Sequence, residues 1–176
     1  MTTEFAGQPG IKHVRQPEDS ELCFAAIVSA LDNQRSVEQV HEALVDSGIS
    51  TADGSTANPG EAQTIQLAAD TKLAVEPFVG ISTERFITAI NERLQDRKPV
   101  ALLHKKNDDE LDNRLHWSLI AGRYHTDGET ELAVLMDPLQ SENAYVDSSE
   151  VTDMVERTVE FFGGVWACAL SIEQAV

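Results

Sequence analysis

The chain is 176 residues long, 41% hydrophobic, and carries 30 acidic against 13 basic side chains, a formal net charge of −17. That length suits one compact domain and the apolar fraction suffices for a core; so negative a surface repels phosphate backbones, which argues against nucleic acid and leaves a protein or peptide as the better-matched partner. No apolar run approaches the ~20 residues of a membrane span. Met1 to Gly10 lacks the basic start and apolar stretch of a secretory signal, which predicts a cytoplasmic location or export without a cleavable signal.

Residues 1 to 15 read as a polar lead-in and 16 to 176 as a single domain. Cys23 to Leu31 (Cys-Phe-Ala-Ala-Ile-Val-Ser-Ala-Leu) reads as a buried helix. Ser36 opens a second helix, with Gln39 completing a capping box. Val37, Val40, Leu44 and Val45 form its apolar stripe, and Gly48 is its stop. After a polar loop from Ser50, Asn58-Pro59-Gly60-Glu61 has the cap, first-turn proline and acidic residue of a third helix. Leu73 to Phe78 reads as extended. Ser82 caps a fourth helix with Phe86, Ile87, Ile90 and Leu94 on one face.

Beyond Pro99 the pattern turns to strands. Val100 to His104, Leu115 to Tyr124 and Glu131 to Met136 are predicted strands, the last two joined by a turn at His125-Thr126-Asp127-Gly128. Asn143 to Val146 adds a short strand. Asp147, with Glu150 three residues on, opens a helix to about Thr158, and Gly164 to Ile172 forms a final strand. Helices first and a mostly antiparallel sheet afterwards make the fold class α+β.

Two cysteines differ in setting. Cys168 lies in the apolar run Val-Trp-Ala-Cys-Ala-Leu, where a thiol is a small hydrophobe. Cys23 lies in the first turn of an apolar helix, after the polar loop Gln16 to Leu22, where the helix dipole favours a thiolate. His116 opens one predicted strand and Asp137 ends the next, so a hairpin places them at one sheet edge. Gln16, seven residues before Cys23, is a donor that with the Cys23 N–H could cradle an oxyanion. Phe24 and Trp117 are candidates to line a substrate site, with simple core packing as the equal alternative. His104 is a possible second base, His125 falls in a turn, and His13 and His41 read as exposed. With no H-x-x-x-H or C-x-x-C pair, no metal or other cofactor is predicted.

In order, Gln-Pro, a polar loop, Cys-aromatic-Ala-Ala, His-Trp followed by Gly122, and a strand ending Asp-Pro-Leu resemble the papain-like cysteine peptidases of bacteria. The nearest in pattern are the double-glycine leader peptidases and their stand-alone effector-type relatives. The resemblance runs from Gln16 to Ile172. It implies a papain-like fold, Cys23 as nucleophile, His116 as base, Asp137 as its orienter and Gln16 as oxyanion donor, with hydrolysis of a peptide or isopeptide bond through an acyl-thioester. Leu22-Cys23-Phe24-Ala25 departs from the Asp-Cys-Gly-Pro of leader peptidases and stands nearer the Cys-Trp-Ala-Ala of the effector type. The same triad serves amidases, deamidases and acyltransferases. A non-catalytic peptide-binding module is the alternative from another class.

Overall fold

The computed structural model describes residues 3–55, 61–80, 82–105, 114–126, 132–162 and 165–174. In chain order the elements are β1 (Thr3–Gly7), α1 (Cys23–Asp32), α2 (Val37–Asp46), β2 (Gln63–Ala68), β3 (Thr71–Gly80), α3 (Thr83–Gln95), β4 (Val100–Lys105), β5 (Leu115–Thr126), β6 (Leu132–Met136), β7 (Ala144–Asp147), α4 (Ser148–Phe162) and β8 (Val165–Gln174). The eight strands form one sheet in the order β2-β3-β8-β4-β5-β6-β7, with β1 added alongside β5, and the pairs are antiparallel. The fold is α+β.

Alternation along the strands feeds two cores, one on each face of the sheet. Val100 and Leu102 of β4 join Phe86, Ile90 and Leu94 of α3 and Met154 and Val155 of α4. The intervening Ala101, with Trp117 and Leu119 of β5, joins α1 and α2. All ten residues of α1 are buried. Ala25, Ala26 and Ala30 keep that helix narrow, so it can lie against both the sheet and α2. Ser36 caps α2 in the expected capping box with Gln39, and the Ser82 hydroxyl accepts the Arg85 N–H at the start of α3.

Several expectations are corrected. The helix expected from Asn58 has no counterpart among the described residues: residues 58–60 lie outside them, and Gln63–Ala68 is β2. Ile65 and Leu67 are buried while Thr64 and Gln66 are exposed, the period of two of a hairpin strand paired to β3. That pairing defeats a capping signature read locally. The polar lead-in contains β1, which pairs with β5 from Thr3↔Thr126 to Gly7↔Gly122. The helices are therefore not all N-terminal to the strands. His125 lies in β5 opposite Glu4 rather than in a turn. Asp127 and Gly128 of the expected turn, and Gly164 of the last strand, lie outside the described residues. Pro77 is tolerated within β3 because the β2 pairing ends at Val75, so its missing N–H breaks no bond on that side.

β1 approaches β5 closely where two glycines face each other. Gly7 has φ +133°, and a Cβ there would stand 2.4 Å from both the Ala121 carbonyl oxygen and Gly122 Cα. A Cβ on Gly122 would meet the Phe5 ring at 2.4 Å. Gly7→Ala should destabilise the protein by about 2 kcal/mol through overpacking, lowering Tm by roughly 4–8 °C in a domain of this size. Thermal denaturation measures it, and an unchanged Tm would mean β1 does not hold this register.

Candidate active site

β5 is the strand on which the site is built. Its first half pairs with β4, matching His116 to His104, and its later residues pair with β6, matching Leu119 to Met136. One step past Met136, Asp137 lies diagonal to His116. His116 Nε2 hydrogen-bonds Asp137 Oδ1 at 2.6 Å, and the Leu139 N–H donates to the same oxygen at 2.9 Å. With Nε2 held, Nδ1 is the nitrogen left for another partner; the Cys23 thiol, whose own hydrogen bond runs to the Glu21 carbonyl at 4.0 Å, adds to the forces that keep the ring protonated.

Cys23 is the first residue of α1. Leu22 occupies the cap position and gives no side-chain cap, and the first turn carries no acidic residue. The helix N-terminus thus keeps its positive end uncompensated by a side chain at the thiol. His116 is 3% exposed and Cys23 6%. Burial works against the imidazolium, but the hydrogen bonds and negative charges of Asp137 and Cys23 outweigh it, and the His116 pKa is pushed up to about 9. Burial likewise opposes the Asp137 carboxylate, yet the His116 hydrogen bond and charge, with the Leu139 N–H, hold its pKa below the usual carboxylate range. The two shifts agree in sign, as they must for an ion pair. Cys168 is wholly buried, and burial alone drives its thiol pKa strongly upward, which leaves it inert.

His104 shifts the other way. Its ring meets that of His116 edge-on, with centroids 5.6 Å apart. The Lys105 carbonyl, 2.7 Å from Nδ1, can only accept, so Nδ1 carries the hydrogen and Nε2 accepts from the Ser118 hydroxyl at 2.9 Å. Burial and the His116 charge lower its pKa to about 4. With both nitrogens engaged, His104 is not placed as a second base.

Gln16 is buried, 7% exposed, on the loop leading to Cys23. Its Nε2 donates to the Ser20 carbonyl at 2.5 Å, which leaves one N–H of that amide, and its Oε1 is buried without a partner. Trp117 lines a cavity of about 320 Å³ together with Cys23, Leu103, Leu115, Gly54 and Ser55. Phe24 does not: at 1% exposure it packs behind Trp117, ring centroids 5.1 Å apart, so its expected contact with substrate is corrected to core packing. A second, more polar cavity of about 430 Å³ lies along Gln16, Asp19, Pro138 and Leu139. Glu21 and Arg114 line both cavities. Residues 106–113, between β4 and β5, lie outside the described residues. Among the described residues no set of three His, Cys, Asp or Glu side chains is grouped to hold a metal ion, and no helix is long and apolar enough to cross a membrane.

Two contributors carry no local signal in the sequence. His13, expected exposed, is half-buried and its Nε2 bonds the Asp137 carbonyl at 2.8 Å across 124 positions of chain. Gly54, at φ +98°, lets its loop press on the Glu21–Leu22 peptide, where a Cβ would stand 2.7 Å from Leu22 Cδ2. No family model matches the chain, and no curated protein matches it significantly in sequence.

Because Asp137 is the leading cause that raises the His116 pKa, Asp137→Asn should bring the His116 titration from about 9 down to or below its ordinary 6.5. Histidine NMR over pH 5–10 reads this directly, and a His116 that still titrates near 9 would dissociate the shift from Asp137. The linkage sign follows: a pKa raised on folding contributes stability that is complete below about 6.5 and lost as pH rises through about 9. In a Cys23→Ala background, which removes that residue's share of the raise and leaves Asp137's, Tm should fall as pH rises above about 6.5. Adding His116→Gln should remove that part of the fall.

Proposed function

We propose that the protein is a papain-like cysteine hydrolase, a thiol protease cleaving a peptide or isopeptide bond. The observation that carries the reading is the short His116–Asp137 hydrogen bond beside a cysteine at an uncapped helix N-terminus. The Cys23 proton rests on His116 Nδ1 in the thiolate–imidazolium pair, and Cys23 attacks the carbonyl carbon as a thiolate, forming the C–S bond of a tetrahedral intermediate. The oxyanion is received by the Cys23 N–H and the remaining N–H of Gln16. His116 returns its proton to the leaving amine as the C–N bond breaks, then takes a proton from the water that releases the acyl group. Asp137 keeps the imidazole in the tautomer and orientation both steps require.

The adjoining cavities on either side of the Glu21–Arg114 boundary support an extended substrate passing over Cys23. Two observations favour a second reading: the thiol has little exposed surface and Gln16 is turned onto Ser20. A module that binds an extended peptide without cleaving it fits those facts.

Iodoacetamide alkylation, mapped by mass spectrometry from pH 5 to 9, separates the two. Cys23 should react at least tenfold faster than Cys168 at neutral pH, and His116→Ala should abolish the advantage. A Cys23 as slow as an ordinary thiol of pKa near ~8.5 in both proteins would end the hydrolase reading in favour of the binding module.

A further inference from the structure

The turn that presents Asp137 is fastened from the far end of the chain, by a segment of which only the last residue, Gln16, enters the proposed bond-breaking. Between Gln8 and Gln16 that segment is tied down at four points. The Gln8 N–H donates to Ala121 O at 3.1 Å, Asn143 Nδ2 to Ile11 O at 2.9 Å, His13 Nε2 to Asp137 O at 2.8 Å and the Gln16 N–H to Pro138 O at 3.0 Å. We infer that His13 is a positioning residue for the His116–Asp137 pair, acting through the Asp137 main-chain carbonyl; this rests on the reading of His116 as the base.

The accounting of bonds around Asp137 supports it. Its carbonyl can only accept, so His13 Nε2 must carry the hydrogen, and the same oxygen also accepts the Gln140 N–H at 3.0 Å. Both lone pairs are thereby used. On the side chain, Oδ1 accepts from His116 and from the Leu139 N–H. The Gln140 and Leu139 bonds lie within the turn and hold its shape, whereas His13 and the Gln16 N–H hold the whole turn against the rest of the site. Without His13 the turn keeps its internal bonds but can slide relative to β5, and the 2.6 Å contact to His116 is the first distance to suffer. The same segment ends at Gln16, so one strap sets both the orienting carboxylate and the proposed oxyanion donor. A residue serving only as an anchor would change Tm and leave the His116 titration where it is.

The test compares wild type, His13→Ala and His13→Gln in the full chain, since a glutamine Nε2 can donate where the imidazole did. His116 is titrated by histidine NMR, Cys23 alkylation is timed at pH 7, and Tm is recorded. His13→Ala should lower the His116 pKa by about one, a tenfold loss of proton affinity, and slow Cys23 alkylation several-fold. His13→Gln should restore both. An unchanged His116 titration in His13→Ala, or a loss that His13→Gln does not recover, overturns the inference. If His13→Ala does not fold, His13→Phe, which keeps the ring and removes the donor, takes its place in the same comparison. A wild-type Cys23 that is inert to alkylation sinks the hydrolase reading alone, because the NMR titration still decides what His13 does.

Discussion

Everything distinctive about this site follows from one hydrogen bond, the 2.6 Å contact between His116 Nε2 and Asp137 Oδ1. It commits one ring nitrogen and so decides which face of the imidazole is left for Cys23. With the further contribution of Cys23, it turns a buried histidine, which burial alone would keep neutral, into one that holds a proton to about pH 9. It does so only because the carboxylate is itself held, by the Leu139 N–H on one side and by His116 on the other. The neighbouring His104 shows the contrast. It has a carbonyl and a hydroxyl for partners instead of a carboxylate, and its pKa moves down to about 4. Two imidazoles in edge contact are therefore driven to opposite charge states by what each is bonded to.

The sheet makes that bond possible. β5 pairs with three other strands, and its pairing with β6 sets Asp137 diagonal to His116 without any adjustable loop between them at that end. β4 contributes the neutral His104, and β1 closes the far end of β5 through the contact of Gly7 with Gly122. α1 comes from the opposite direction, its N-terminus brought to the sheet edge by a core of alanines and branched aliphatics. On the proposed reading, nucleophile and base belong to different elements, and the packing between α1 and β5 sets their distance.

How much of this could be read from the sequence depends on how local the cause is. The helix at Cys23, the capping box at Ser36, the helix at Ser82 and the strands of the C-terminal half were all readable, because periodicity and caps are properties of a few adjacent residues. The approach of His116 to Asp137 was also readable, since a hairpin relates the two by counting. β2 was misread because Asn-Pro-Gly-Glu carries a helix-start signature, while the alternation of Ile65 and Leu67 is only two residues deep. β1 was missed because its five residues, Thr-Glu-Phe-Ala-Gly, bury little, and their partner lies more than a hundred positions away. His13 was out of reach for the same reason. Phe24 was assigned to the site from its place beside Cys23, but on a helix the adjacent residue points about 100° away, here into the core behind Trp117.

The complete burial of α1 has a dynamic corollary. A helix with one wet face can fray or tilt by partial opening at modest cost, whereas one enclosed on all sides can move only if the surrounding core opens with it. Its backbone amides should therefore exchange with solvent deuterium through nearly global unfolding, and Cys23 belongs to the slowest-opening unit of the molecule. On the proposed reading, the nucleophile stands on a helix with no exposed face.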